Sequence, residues 1–383
     1  MPPGILERLR DAPAVRAVAG EPGVWVVGGA VRDVLLGREP SELDLVVEGD
    51  ALAVARRAAE RADGDLTVHE RFGTATVRAG DDEFDLTSAR RERYAAPGAL
   101  PEVELGATIA EDLARRDFTV NAMAVAVDDG RLEQVAGAWP DLQAKLLRVL
   151  HDRSFADDPT RLIRLARYAA RLGFTAEPHT AELAARADMA GVSGDRMGAE
   201  LRLLLAEPRP AAALEALARY APRFLPGLDP AGVAATLEAA PDDARRDLLA
   251  LAAAWTPDDA TLERLAFPAV DRRILAAAAR APGLRAALDH AETPSAVRRV
   301  LRREPVEAAV LAGGEQAARW IAEWRHARPE ITGSDLLAAG LEGPAVGAGL
   351  EAAAEAQLDG RAPDRETQLA AALDAARRLP PRG

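Results

Sequence analysis

The stretch that most restricts how this chain can fold runs from Val24 to Asp50. Val24-Trp25-Val26-Val27 is a short apolar run of β-forming residues, Gly28-Gly29 follows, and Ala30 to Leu36 has helical spacing up to a stop at Gly37. A second apolar run carries carboxylates at Glu42 and Asp44. The order predicts strand, glycine turn, short helix and acidic strand. Glycines let a backbone come close to a ligand, and the N–H groups of a turn that opens a helix suit phosphate oxygens. Glu42 and Asp44, two apart on a strand, would share one face. Carboxylates so placed repel unless a cation joins them, and hard oxygen donors of this kind hold Mg²⁺ against a nucleotide's phosphates. The stretch points to a site for a metal-bound nucleoside triphosphate, although a Gly-Gly turn by itself means no more than a buried βα connection.

Composition narrows the classes. At 383 residues the chain is long enough for two or more domains. Aromatic residues make up only 4% and alanine dominates the C-terminal half, which predicts helices packed closely through small side chains. Without cysteine there are neither disulfides nor thiolate metal sites. His69, His151, His179, His290 and His326 are scattered, with no metal-ligand spacing. No apolar run reaches ~20 residues and no signal-peptide core opens the chain, so a soluble cytoplasmic protein with no membrane partner is expected. The net charge of −13 is the reverse of the usual nucleic-acid footprint, so any RNA contact must use a local basic patch and weaken with salt.

In chain order, residues 1 to 20 read as one short leading helix, Ala51 to Ala62 as a helix and Leu66 to Glu70 as a strand. Arg71 to Val77 and Glu83 to Thr87 alternate like a hairpin turning at Gly80-Asp81-Asp82, which puts Asp85 one hairpin from Asp44, either as a third carboxylate or as a solvated surface acid. Arg90 to Leu105, polar and punctuated by Pro97, Gly98 and Pro101, is expected to be a mobile loop. Arg115-Arg116 closes a helical run, where paired arginines suit the helix dipole.

The other informative stretch is Ser154 to Phe174. Asp157 or Asp158 caps a helix, Pro159 fits its first turn and Gly173 ends it. At ~100° per residue, Arg161, Arg164, Arg167 and Arg171 fall on one face, opposite Leu162, Ile163, Leu165, Ala166, Ala169 and Leu172. Such a stripe is either a solvated face or a surface that reads phosphates and bases. Asp158 and Arg161, at i and i+3, pair a carboxylate acceptor with a guanidinium donor, a match for the Watson–Crick edge of a base.

Gly28-Gly29-Ala30-Val31-Arg32-Asp33, the acidic strand, Arg115 to Ala122, Asp157 to Arg164 and Ser193 to Glu200 follow one another in a way that resembles the class II tRNA nucleotidyltransferases, a family of CCA-adding, CC- and A-adding enzymes and bacterial poly(A) polymerases. The likeness covers about residues 22 to 207 and returns weakly at Ile331 to Leu337 and Gly343 to Gly347. It implies an α+β fold: a polymerase-β-like nucleotidyltransferase head with a mixed sheet and helices (1–140), then an all-α neck (141–207), body (208–329) and tail (330–383). It also implies two Mg²⁺ ions held by Glu42 and Asp44, with Asp85 as a third acid. Gly28 and Gly29 would admit the triphosphate, Arg32 and Arg116 would contact the nucleotide, Asp158 and Arg161 would read C or A, and Arg164 and Arg167 would extend that surface. The substrates implied are CTP, ATP and tRNA.

Two positions depart from the family pattern. Its metal strand usually reads Asp-x-Asp, whereas this chain has Glu42-Leu43-Asp44, one methylene longer at the first acid, and its Asp-Pro-x-Gly-Gly turn survives only as Gln134-Val135-Ala136-Gly137-Ala138. CCA addition is the leading expectation. Poly(A) polymerisation or partial CC- or A-addition is the alternative within the family, and a catalytically weak tRNA-binding protein is the alternative outside it.

Overall fold

The computed structural model describes residues 4–40, 42–70, 73–189 and 191–378. It forms two compact units, Met1–Pro226 and Gly227–Gly383.

The first unit opens with α1 (Ile5–Leu9) and α2 (Pro13–Ala17). The single leading helix expected there is two, because Pro13 can open a helix but cannot continue one. A seven-stranded mixed sheet follows. Its strands are β1 (Val24–Val27), β2 (Asp44–Val47), β3 (Asp65–His69), β4 (Thr74–Ala79), β5 (Asp82–Ser88), β8 (Met123–Ala126) and β9 (Leu132–Gln134), in the order β3-β4-β5-β2-β1-β8-β9. β1 is buried along its whole length between β2 and β8, which explains its unbroken apolar sequence. α3 (Gly29–Leu35) leaves β1 through the glycine turn and ends before Gly37, whose positive φ of 77° stops it. α4 (Ala51–Ala62) is capped by Asp50, which accepts from the Ala53 N–H at 3.0 Å, and buries Ala51, Val54, Ala55 and Ala58. Under the sheet, Trp25, Val46, Ile109, Leu113 and Ala124 share one apolar cluster.

Three local expectations change. β2 begins at Asp44, so Glu42 lies two residues before the strand, although its charge still acts on Asp44. The hairpin β4–β5 turns at Gly80-Asp81, with Ala79 opposite Asp82; Arg71 and Phe72, expected to start its first strand, lie outside the described residues. Arg90 to Leu105 is not an unstructured loop: β6 (Arg90–Arg93) and β7 (Glu102–Leu105) pair antiparallel, setting Arg91 opposite Glu104 and Arg93 opposite Glu102. Cross-strand opposite charges favour that register.

After α5 (Ile109–Ala114) and α6 (Ala138–Ala144), the chain runs through β10 (Leu146–Leu147), α7 (Ser154–Asp157), α8 (Arg161–Leu172), β11 (Thr175–Ala176), α9 (Pro178–Arg186), α10 (Gly194–Leu205) and α11 (Pro210–Tyr220). α8 packs on α10 and α11. Gly173, with φ 71°, closes α8 as expected.

The second unit is helical from Val233–Glu238 to Arg365–Arg377, with no strand among its described residues. Val297, Leu301, Trp320 and Trp324 centre one apolar cluster, and Ile331, Leu336, Ala353 and Ala372 another. Among the described residues no helix is long and apolar enough to cross a membrane.

Candidate active site

A polar cleft of about 330 Å³ lies in the first unit. Its floor is the glycine turn. Gly28 has φ 69° and ψ −123°, a conformation open to glycine, and a Cβ there would sit 2.7 Å from Nη1 of Arg116. The turn therefore exists in a form that lets a guanidinium lie directly against the backbone. Arg116 comes from the end of α5, where the buried Asp112 gathers both arginines: Arg115 donates through Nε and Nη2 at 3.0 and 2.8 Å, and Arg116 through Nη2 at 3.2 Å. Nε of Arg116 is buried without a hydrogen-bond partner. The N–H of Gly28 is taken by the Met123 carbonyl at 2.9 Å, so it is the amides opening α3, rather than that of Gly28, that remain for a ligand.

Asp44 borders the cleft at the start of β2. β2 and β5 run parallel with Asp44 in register with Asp85, so the two acids are immediate neighbours across the strands. Desolvation in the cleft raises the Asp44 pKa; Arg116 opposes that rise, while the charges of Asp85 and Glu42 add to it. Asp85 is steadied by Thr76, whose hydroxyl donates at 2.6 Å. Among the described residues no three acids or histidines form a ready-made metal cage. A pair of hard, mutually repelling oxygen donors fits a divalent cation that takes its other ligands from phosphate and water.

The wall opposite is built by α7 and α8. Asp158 accepts three hydrogen bonds on Oδ1, from the Thr160 N–H (3.1 Å), the Thr160 hydroxyl (2.6 Å) and Nη2 of Arg196 (2.8 Å). Arg161, 5% exposed, donates through Nη1 to the Ser154 hydroxyl at 2.7 Å and through Nη2 to the Arg115 carbonyl at 2.8 Å, which ties α8 to the end of α5. Arg164 donates through Nε and Nη2 to Oδ2 of Asp117 at 2.9 and 2.7 Å and through Nη1 to Glu200 at 3.2 Å. Burial would raise the Asp117 pKa, but the Arg164 guanidinium and the Asn121 amide, with Arg164 also donating, hold it down at about 2.

The arginine stripe is thus neither wholly solvated nor uniformly turned to the cleft. Arg167 reaches Glu200 and Glu207 at 3.7 and 3.9 Å, and Arg171 donates to Glu207 at 2.9 Å, so the stripe becomes an ionic seam between α8 and acids on and just after α10 as it leaves the cleft. Arg161 and Arg164 line the cleft and Arg167 does not. Arg32 is also absent from the lining. It is 3% exposed and commits Nη1 to Asn121 at 2.6 Å and Nε and Nη2 to Asp33 at 2.9 and 3.0 Å, a brace within the fold. Glu42 is exposed and borders a separate cavity beside Arg8 and Glu83. The structure therefore brings Gly28, Gly29, Asp44, Arg116, Asp158, Arg161 and Arg164 together, sets Asp85 beside Asp44, and leaves Glu42, Arg32 and Arg167 outside.

Residues 24–148 match the family model described as the Poly A polymerase head domain. Over these residues the chain is similar to the heads of tRNA nucleotidyltransferases. The chain is 44% identical over 210 residues to a CC-adding tRNA nucleotidyltransferase of Deinococcus radiodurans, an alignment covering 53% of this chain and 55% of that protein. It is 42% identical over 204 residues to an A-adding tRNA nucleotidyltransferase of Halalkalibacterium halodurans, covering 51% and 48%. The chain thus spans about half the length of these curated relatives. A solved CCA-adding enzyme in its apo form superposes over 98% of this chain and 96% of its own, with a TM-score of 0.78 at 27% identity.

In this polymerase head and the helices behind it, sequence reasoning overlooked Glu92, Tyr94, Asn121 and Tyr168, all of which line the cleft. Glu92 accepts from Arg115 at 2.8 Å and from the Tyr94 hydroxyl at 3.0 Å. Burial, with Glu92 next to it, pushes the Tyr94 pKa up to about 12. The signal available was the alternation Arg91-Glu92-Arg93-Tyr94, which has a strand period. Tyr168 sits edge-on to Phe118 with the guanidinium carbons of Arg32, Arg164 and Arg167 at 5.6, 5.5 and 5.2 Å from its ring centre. It braces the arginines through their cation–π attraction.

Proposed function

We propose that this protein is a template-independent RNA nucleotidyltransferase that adds CMP and AMP, from CTP and ATP, to the 3′ end of tRNA. The observation that carries the reading is the meeting in one cleft of the glycine turn, Asp44 and Arg116 with Asp158, Arg161 and Arg164. Triphosphate-binding and base-reading groups then lie within one nucleotide's reach of each other.

The reaction is an in-line attack of the RNA 3′-hydroxyl on the α-phosphate, with pyrophosphate leaving and no covalent intermediate. Arg116, with its unpaired Nε, and the amides opening α3 draw the triphosphate onto the glycine turn. Asp44 and Asp85 would hold the divalent cations, Mg²⁺ being the expected metal, with Glu42 adding negative charge from outside the strand. When bound there, the metal would acidify the attacking hydroxyl and offset charge on the leaving pyrophosphate. Asp158 accepts from the exocyclic amine of the base, and Arg161 donates its remaining N–H groups to the ring nitrogen or carbonyl. Cytosine and adenine both present an amine beside a ring acceptor; guanine and uracil present an N–H beside a carbonyl. Holding the reactants in line and stabilising charge supply most of the rate.

The comparisons support this reading. CCA-adding enzymes solved with ATP and with CTP superpose at TM-scores of 0.76 and 0.74, and one from Thermotoga maritima was solved with tRNA. A second reading, partial CC- or A-addition, is raised by the relatives, since a CC-adding protein matches at 44% and an A-adding one at 42%, beside multifunctional CCA proteins at 37% and 41%. Supplying tRNA that lacks the whole CCA end, and tRNA that ends in CC, with CTP alone, ATP alone or both separates the readings. Full addition requires both nucleotides, partial enzymes use one, a poly(A) polymerase extends with ATP without limit, and a mere tRNA binder adds nothing.

A further inference from the structure

One rung of the mixed sheet is polar over four of its strands. The registers set Thr67 of β3 opposite Thr76 of β4, Thr76 opposite Asp85 of β5, Asp85 opposite Asp44 of β2, and Asp44 opposite Val27 of β1, the residue before the glycine turn. Residues in register on adjacent strands share a face, so Asp85 is flanked by Asp44 on one side and by Thr76 on the other. Thr76 donates its hydroxyl proton to Oδ1 of Asp85 at 2.6 Å, the one hydrogen bond that this carboxylate accepts among the described residues. The acids around the pair are held differently. Asp112, Asp117 and Asp158 are each paired with an arginine, at 2.8, 2.7 and 2.8 Å, whereas neither Asp44 nor Asp85 forms an ion pair among the described residues. A hydroxyl orients a carboxylate without neutralising it, where a guanidinium in the same place would compete with a cation.

We propose that Thr76 is a positioning residue for the divalent cation: by drawing Oδ1 of Asp85 to the β4 flank, it presents Oδ2 to the β2 flank, toward Asp44, with the negative charge intact. Asp85 is exposed, and the terminal torsion of an aspartate is soft, so an unheld carboxylate there would spend much of its time with neither oxygen directed at Asp44. Holding one oxygen removes that freedom before the cation arrives, and binding then costs less ordering. Thr76 does not line the cleft and acts only through Asp85. The inference rests on Asp44 and Asp85 as the cation-holding pair proposed above, and it adds to them a side chain from a third strand.

The test uses the full chain. Binding of Mn²⁺ alone, without nucleotide or RNA, is followed by loss of the free-ion electron paramagnetic resonance signal, and the Mg²⁺ concentration that half-saturates CTP addition is measured on tRNA lacking the whole CCA end. Valine matches threonine in shape and in its preference for strands, so Thr76→Val removes the hydroxyl and little else. It is expected to weaken Mn²⁺ binding about fivefold, the size of one ordinary hydrogen bond, and to raise the half-saturating Mg²⁺ concentration by the same factor, with kcat at saturating Mg²⁺ within about twofold of wild type. Thr76→Ser, which keeps the donor, should bind Mn²⁺ as the wild type does, and so should Thr67→Val, one strand further out on the same rung. In an Asp85→Ala background Thr76→Val should have no further effect. Wild-type Mn²⁺ affinity in Thr76→Val overturns the inference. So does an equal loss in Thr67→Val or an undiminished loss in the Asp85→Ala background, either of which would make the hydroxyl a brace of the hairpin. If Thr76→Val does not fold, Thr76→Ala removes the same hydroxyl and is judged by the same outcomes. Mn²⁺ binding that survives Asp85→Ala, or is absent from the wild type, overturns the cation pair and the inference together. A wild-type protein that binds Mn²⁺ through both acids yet adds no nucleotide refutes the proposed activity, and the inference is then decided by the Thr76→Val binding ratio.

Discussion

Replacing Gly28 by alanine should damage this protein in two separable ways, and the adjacent Gly29 supplies the control. At φ 69° and ψ −123° an alanine is held in a sparsely populated region, at about 1–3 kcal/mol. For a cooperative unit of this size that lowers the melting temperature by roughly 2–4 °C per kcal/mol. The new methyl also enters at 2.7 Å from Nη1 of Arg116, far inside contact distance, so the guanidinium has to swing away from the turn. If Arg116 holds the triphosphate, one charge-assisted hydrogen bond goes with it, about 1.5–3 kcal/mol, or roughly ten- to a hundredfold in kcat/KM. Gly29 lies in the first turn of α3, and a Cβ there meets Nη2 of Arg32 at 3.5 Å, an ordinary contact. Gly29→Ala should therefore melt at or above the wild-type temperature, since alanine is the better helix former by about 1 kcal/mol. Thermal melts and single-nucleotide addition to tRNA lacking its 3′ end measure both effects. Wild-type kcat/KM and melting temperature for Gly28→Ala would refute the reasoning, and equal losses in both variants would show that crowding of the backbone, not displacement of Arg116, is what matters.

Asp44→Ala should abolish nucleotide addition while leaving tRNA binding, measured by filter retention, within about twofold, whereas Glu42→Gln should lose far less activity because Glu42 stands off β2; the reverse order would move the metal site to Glu42. Arg161→Ala should lower CTP and ATP use by about ten- to a hundredfold and relax rejection of UTP and GTP, while Arg171→Ala, paired with Glu207 away from the cleft, should leave nucleotide choice unchanged. An equal loss for all four nucleotides in Arg161→Ala would make that residue a phosphate contact or a brace. Asp117, with its pKa held at about 2, contributes stability that is fully present above the ordinary carboxylate pKa near 4 and is lost as pH falls through about 2. Acid unfolding should thus be shallower across that window in Asp117→Asn, and an unchanged acid limb would show that the Arg164 pair does not stabilise the fold.

Much of the head was legible in sequence because its signals are local. The apolar run Val24–Val27, the glycine pair and the stop at Gly37 specify β1, the turn and α3 without reference to distant residues. The arginine stripe was legible only in part. Helical period says which side chains of α8 share a face, but Asp117, Glu200 and Glu207, which neutralise that face, come from other segments and decide which arginines stay in the cleft. Glu42 was read as part of the acidic strand because the sequence does not mark where pairing begins, and β2 starts two residues later. The β6–β7 pairing was hidden by Pro97, Gly98 and Pro101, which punctuate only its tip, while the evidence for it lay in opposed charges across the hairpin, Arg91 against Glu104 and Arg93 against Glu102.

The parallel pairing of β2 with β5 also has a consequence for how the head assembles. Hairpin β4–β5 and the neighbours β1 and β2 can form from nearby chain, but Asp44 meets Asp85 only after α4, β3 and β4 have been laid across the sheet. Loop closure of that kind slows folding, and here the final register brings two carboxylates together. The head should accordingly complete this central seam after its β1–β2 and β4–β5 pairs, from a partly formed sheet whose β2 and β5 edges are both unpaired. Divalent cations added during refolding, rather than afterwards, should hasten that step.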